Sequence, residues 1–172
     1  MMDVATPSSL EEALSKANGT VTAFLEQLVG EPIDARARRH KMTRAERSNG
    51  LRVPEGHPLL LRAATLQGRT SGRSYVYAES ILVPSRLPGS FRLRLESSND
   101  PIGRILGEEG INTTRQPLSA PDRGSVPDPP AEAIGIGDHL LARSYRIDAE
   151  GAPVMVIAEW FLTPLERFLP PH

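Results

Sequence analysis

The chain has 172 residues, 20 basic and 21 acidic side chains for a formal net charge of −1, and no cysteine. That length suits one domain able to bury a core without staples, and the missing cysteines exclude disulfides, thiolate metal sites and cysteine nucleophiles. The balanced charge argues against nucleic acid as a partner, and no run approaches the ~18 apolar residues of a membrane span.

The N-terminus, with Asp3, Glu11 and Glu12, lacks the charged-then-apolar layout of a signal peptide, so a cytoplasmic protein without membrane contacts is expected. Ser9 with Glu12 makes a capping box before Leu10, Ala13 and Leu14, predicting a first helix that ends at Asn18-Gly19. Val21, Phe24, Leu25 and Leu28 follow at helical spacing, with Gly30 as the stop. Pro32 then opens an alternating strand in which Ile33, Ala35 and Ala37 oppose Arg36 and Arg38. Residues 42–57, with Asn49-Gly50, Pro54 and Gly56, read as a long loop.

Leu59 to Gln67 and Tyr75 to Val83 form the clearest pair of strands, joined by the glycine-bounded stretch 68–72. Ser90 is placed to cap a short helix through Leu95. Asp100-Pro101 predicts a further helix, capped by the acid, begun by the proline and ended at Gly110. Ile111 to Leu118 is a threonine-rich strand. Four prolines within 119–130 predict an exposed loop, and His139 to Ile147 and Pro153 to Leu162 make a second hairpin around Glu150-Gly151. Six strands joined mostly by hairpins, with helices grouped at the front and in the middle, predict an α+β fold on an antiparallel sheet.

Standard catalytic motifs are missing. Gly135-Ile136-Gly137 starts like a dinucleotide fingerprint, but Leu140 replaces the third glycine and a strand follows. The stretch 68–72 has Thr70 where a nucleophile elbow needs serine. His40, His57, His139 and His172 share no ligand spacing, which argues against a metal enzyme. Eighteen of the basic residues are arginine, a bias that base composition explains but that also suits anionic ligands.

Charges set inside apolar strand phases carry more information. Leu60, Arg62, Ala64 and Leu66 share one face of their strand, and Met155, Ile157, Glu159 and Phe161 share one face of the last. A buried ion costs several kcal/mol unless it is paired. Two readings stay open at this point. Arg62 and Glu159 pair with each other or reach solvent from a sheet edge, or they line a pocket where Arg62 binds a carboxylate. Glu79, in phase with Tyr75, Tyr77 and Ile81, reads as a structural charge.

The segments Asn18-Gly19-Thr20-Val21-Thr22, Leu59-Leu60-Leu61-Arg62, Val76-Tyr77-Ala78-Glu79-Ser80, Leu87-Pro88 and Pro101-Ile102-Gly103-Arg104 occur in a telling order. Thr113-Thr114-Arg115, Ser144-Tyr145-Arg146-Ile147 and Pro153-Val154-Met155 up to Glu159 continue it. Together, over about residues 18–165, the chain resembles the chorismate pyruvate-lyase family. The resemblance implies a six-stranded antiparallel sheet flanked by helices, with a ligand enclosed under helical flaps. It also implies conversion of chorismate into pyruvate and 4-hydroxybenzoate without metal or organic cofactor, and tight retention of the product. In that picture Arg62 holds the ring carboxylate, helped by the backbone N–H groups of Val21 and Ile102. Glu159 sits at the hydroxyl end, as proton donor or as positioning group. Val21 stands where some members have methionine, and the proline-rich 119–130 segment is a further divergence.

Chorismate carries two carboxylates, so a second cationic anchor is needed; Arg104 and Arg115 are the candidates, each also readable as an ordinary surface or helix-terminal charge. Two alternatives share the implied fold. One is a non-catalytic aromatic-acid sensor, since effector domains of one class of bacterial regulators resemble it. The start of the resemblance near residue 18 leaves no room for the winged helix that such regulators carry upstream, which counts against that reading. The other is a lyase acting on a related cyclohexadiene acid. Oligomeric state is not legible.

Overall fold

The computed structural model describes residues 10–14, 20–47, 49–118 and 139–169. Residues 10–14 are helical, and the named elements after them are α1 (Val21–Val29), β1 (Ile33–Arg44), β2 (Pro58–Gly68) and β3 (Ser74–Leu82). There follow α2 (Gly89–Ser97), α3 (Ile102–Glu108), β4 (Thr113–Pro117), β5 (His139–Ala149) and β6 (Ala152–Leu162). Short 3₁₀ turns lie at Pro84–Arg86 and Thr163–Phe168. The six strands form one sheet in the order β1-β2-β3-β6-β5-β4, with every neighbour antiparallel. The predicted α+β class with a six-stranded antiparallel sheet is therefore the fold observed. Among the described residues no helix is long and apolar enough to cross a membrane.

Local chemistry explains most boundaries. Thr20 caps α1, its Oγ1 accepting from the Ala23 N–H at 3.1 Å, and Gly30 ends the helix with φ +75°. Between β5 and β6, Glu150 and Gly151 both have positive φ, +53° and +78°, the pair a two-residue hairpin turn demands.

Three boundaries depart from the sequence expectation. β1 continues to Arg44 because Met42, Thr43 and Arg44 pair with Leu60, Leu59 and Pro58, so the predicted loop starts three residues late. A bulge between Ala37 and Arg39 resets the alternation that ended the predicted strand. Pro88 occupies the cap position of α2, with no side-chain cap, so Ser90 does not cap it. Pro101 is likewise the cap of α3, and Asp100 instead pairs with Arg94 at 2.7 Å. Ser9, Asn18-Gly19, Gly135-Ile136-Gly137, His172 and the 119–130 segment lie outside the described residues.

One sheet face carries the helices. Phe91 and Leu95 of α2 and Ile105 and Leu106 of α3 pack with Leu60, Leu82, Met155, Ile157 and Ile147. Leu10, Leu14 and the α1 residues Val21 and Leu25 pack with Ala64, Leu66, Val76 and Phe161. These two apolar clusters stand on either side of the middle of the sheet. On the opposite face, Leu51 and Val53 cover Leu59, Ile81 and Val156.

Candidate functional site

Between the two clusters, on the helical face, lies a cavity of about 520 Å³ counting its mouth. The register explains why it exists. Ala64 of β2 faces Ala78 of β3, which faces Glu159 of β6; the next row is Arg62, Ser80 and Ile157. Small side chains at the centre of the face leave a hollow that the larger residues around it do not fill. The roof is made where the first turns of α1 and α3 meet, with Val21, Thr22, Ile102 and Gly103 lining the space. Gly103 permits that meeting, because a Cβ there would stand 2.7 Å from the Thr20 Cβ. Amide N–H groups in the first turn of a helix have no intrahelical acceptor, and Val21 and Ile102 are the first residues of their helices.

Among the described residues Arg62 is the one buried cation, with 2% of its surface exposed. Its Nη1 donates to the Leu95 carbonyl at 3.1 Å. Among the described residues no carboxylate lies within ion-pair distance of its guanidinium. Burial pushes its pKa down from the usual 12.5, the direction expected when a cation is taken out of water without a counter-charge. A guanidinium has five N–H donors, and Arg62 lines the cavity with one of them on the Leu95 carbonyl.

Glu159, also 2% exposed, has a different environment. Arg143 is its direct cross-strand partner on β5, and the Arg143 Nε donates to Oε1 at 2.8 Å. The Tyr145 hydroxyl donates to Oε2 at 2.9 Å. Arg143 lies over the rings of Tyr145 and Phe161, 5.2 and 5.5 Å from their centroids. Burial and then the Glu159 charge hold the Tyr145 hydroxyl far above its usual pKa of 10, so it stays a neutral donor. Burial works against the charged form of Arg143, but the adjacent Glu159 outweighs it and the net direction is upward. Arg62 and Glu159 therefore do not pair with each other. Two strand spacings and one two-residue step separate them, which places their Cα atoms ~12 Å apart.

Of the residues singled out from sequence, Arg62, Glu159, Val21, Ile102 and Arg115 line this one cavity. Arg115 also lies 5.4 Å from the centroid of the Tyr145 ring. Arg104 is not in the lining. Its guanidinium is taken by Glu26 at 2.7 Å and the Ile33 carbonyl at 3.2 Å, tying α3 to α1 and β1. Glu79 faces the other side of the sheet, accepting from the Tyr77 hydroxyl at 2.8 Å with Arg39 at 3.8 Å. Sequence reading passed over Tyr145 and Arg143. The signal was there: Leu141, Arg143, Tyr145 and Ile147 share one strand phase, with a charge among apolar neighbours as on β2 and β6.

Chemically, the cavity offers a buried cation, Arg62, and apart from it a fixed carboxylate with a phenol, Glu159 and Tyr145. The model of the Rv2949c-like chorismate pyruvate-lyase family matches residues 16–169. The chorismate pyruvate-lyase of Mycobacterium tuberculosis H37Rv is 30% identical over 169 residues, covering 91% of this chain and 81% of its own length. That of Mycobacterium leprae is 30% identical over 163 residues, covering 87% and 72%. Among solved structures, PhnF from Mycobacterium smegmatis superposes with a TM-score of 0.57 at 18% identity, covering 87% of this chain. The chain spans 66% of that PhnF structure, and 90% of the separately solved PhnF effector domain, which superposes at 0.56. At such identity the likeness shows a shared fold.

Proposed function

The chain belongs to the Rv2949c-like chorismate pyruvate-lyase family, and on that premise we propose that it eliminates pyruvate from chorismate to leave 4-hydroxybenzoate. The observation that carries the reading is Arg62, a buried cation facing a cavity with no carboxylate of the described chain beside it. A charge kept in that state costs several kcal/mol, and an anionic ligand offsets the cost.

In this reading the ring carboxylate lies on Arg62, and the backbone N–H groups of Val21 and Ile102 complete its site. The ring spans the alanine floor toward Glu159 and Tyr145, which meet the hydroxyl. Arg115 takes the enolpyruvyl carboxylate. The ether C–O bond breaks, the ring carbon bearing the hydroxyl gives up its hydrogen, and the departing enolpyruvate gains a proton on carbon to become pyruvate. The atoms balance with no co-reactant, and aromatisation drives the step. The protein's own contribution is orientation and fixed charge in a space sheltered from water. A pocket that fits the ring acid also retains it, so 4-hydroxybenzoate inhibits.

The fold shared with the PhnF effector domain supports a second reading, a domain that binds an aromatic or cyclohexadiene acid without turnover. Incubation with chorismate, with pyruvate and 4-hydroxybenzoate followed together by chromatography, separates the two. Equimolar appearance of both products is the result expected. Stabilisation by 4-hydroxybenzoate without turnover favours the binding reading, and neither turnover nor stabilisation overturns both.

A further inference from the structure

Both oxygens of Glu159 are already engaged, one of them by a group that can only donate. The Arg143 guanidinium has no acceptor, and the neutral Tyr145 hydroxyl gives its proton to Oε2. With the guanidinium 2.8 Å from Oε1 the two groups form a salt bridge, and a carboxylate only accepts. Each oxygen keeps a further lone pair, and Glu159 lines the cavity. What it presents to a ligand is therefore an acceptor. Arg143 does not line the cavity. It reaches Glu159 from the neighbouring strand and is braced between the rings of Tyr145 and Phe161, which fixes the direction of its Nε–H.

We propose that Arg143 is a positioning residue that locks Glu159 as a hydrogen-bond acceptor, and that the pocket thereby selects ring acids with a hydroxyl donor opposite their carboxylate. The inference rests on the proposed placement of the ring carboxylate at Arg62. It goes further in assigning Glu159 the accepting role in place of the donating one. Selection works through both ends of the cavity. Arg62 recognises any ring carboxylate, and the fixed acceptor separates acids that carry a donor at the far end from those that do not. An acid ending in hydrogen or in an ether oxygen leaves Glu159 facing a group that donates nothing, at a buried position where an unmet acceptor is costly.

The test is calorimetric binding of benzoate, 4-methoxybenzoate and 4-hydroxybenzoate to the full chain, to Arg143→Met and to Arg143→Lys. Wild type is expected to bind 4-hydroxybenzoate about tenfold or more tightly than benzoate, the size of one hydrogen bond to a charged acceptor. 4-Methoxybenzoate, with an oxygen but no donor, gains nothing over benzoate. In Arg143→Met the preference falls to about threefold or less while benzoate affinity holds. Arg143→Lys restores most of the preference. A purely structural loss would instead weaken both acids in parallel, and that outcome overturns the proposal. So does a wild-type protein that does not distinguish the acids, or a preference that survives intact in Arg143→Met. Failure of wild type to bind any of the three acids overturns the placement at Arg62 as well, so the two failures are separable.

Discussion

Replacing Arg62 with methionine removes the charge while keeping an unbranched apolar chain, and the structure gives this substitution two opposite signs. In the ligand-free protein the guanidinium is buried with one backbone carbonyl as its protein acceptor, the Leu95 oxygen at 3.1 Å. Losing that bond and leaving the carbonyl unmet costs about 1–2 kcal/mol. An uncompensated buried charge costs about 3–5 kcal/mol, and the substitution removes that cost. The balance is a gain of about 1–4 kcal/mol, or about 2–16 °C in Tm for a chain of this size. The depressed pKa of Arg62 points the same way, since burial disfavours its charged form. Ligand binding moves in reverse. Two charge-assisted bonds of about 1.5–3 kcal/mol each disappear, so affinity for a ring carboxylate falls by about a hundredfold or more. Scanning calorimetry with and without 4-hydroxybenzoate reads both effects. At a ligand concentration of about 100 Kd, wild type gains about 2.7 kcal/mol, and Arg62→Met melts higher than wild type but does not respond to the ligand. A variant that melts several degrees lower and still responds would show Arg62 to be a structural residue and refute the reasoning.

Arg104→Gln is expected to lower stability by about 1 kcal/mol in urea unfolding, through its bonds to Glu26 and Ile33, and to leave KM for chorismate unchanged. Arg115→Gln, at a lining position, is expected to raise that KM about tenfold or more. Glu31 accepts from the Thr70 and Ser71 amides and the Tyr75 hydroxyl; burial works to raise its pKa, and these bonds outweigh it and hold the group below the usual 4.5. Its stabilising contribution is therefore present above pH 4.5 and is lost as pH falls through the folded-state value. Glu31→Gln should be less stable than wild type by about 1 kcal/mol at pH 7, a gap that closes in acid unfolding curves as pH falls below the usual 4.5. Glu150→Asn places a residue tolerant of positive φ in the β5–β6 turn and should add about 0.5–1 kcal/mol in denaturant titration.

The sheet was legible because its alternation is strong and its turns are marked by glycine, as in 58–82 and 139–162. Helix starts at Gly89 and Ile102 were misplaced because a proline at the cap position makes no side-chain bond, whereas Ser90 and Asp100 carried the expected cap chemistry without occupying the cap. The far end of β1 was not legible at all. Residues 42–44 are polar or exposed, and their strand conformation comes from pairing with 58–60, which no local signal reports. Arg62 and Glu159 stood out as charges in apolar phases. That Glu159 answers to Arg143 depends on the β5–β6 register, which a sequence shows only once the hairpin turn is placed to the residue.

Buried glutamates at Glu79 and Glu159 show how much turns on a single step of phase. Ala78 pairs with Glu159 and Glu79 pairs with Ala158, so the two carboxylates stand back to back across adjacent rungs of β3 and β6. Their local chemistry is alike: each accepts from a tyrosine hydroxyl, at 2.8 and 2.9 Å, and each has an arginine nearby, at 3.8 and 2.8 Å. Composition, burial and partner type do not separate them. Face does. Glu159 shares its face with Arg62, the two facing alanines and the converging helix starts, so its remaining lone pairs open on a cavity. Glu79 shares its face with Tyr77 and Ala63, and its bonds serve the packing of that side of the sheet. A charge in an apolar strand phase therefore identifies a buried ion. Whether that ion faces a ligand is decided by where the helices leave room, and in this chain Ala64, Ala78 and Gly103 make that room.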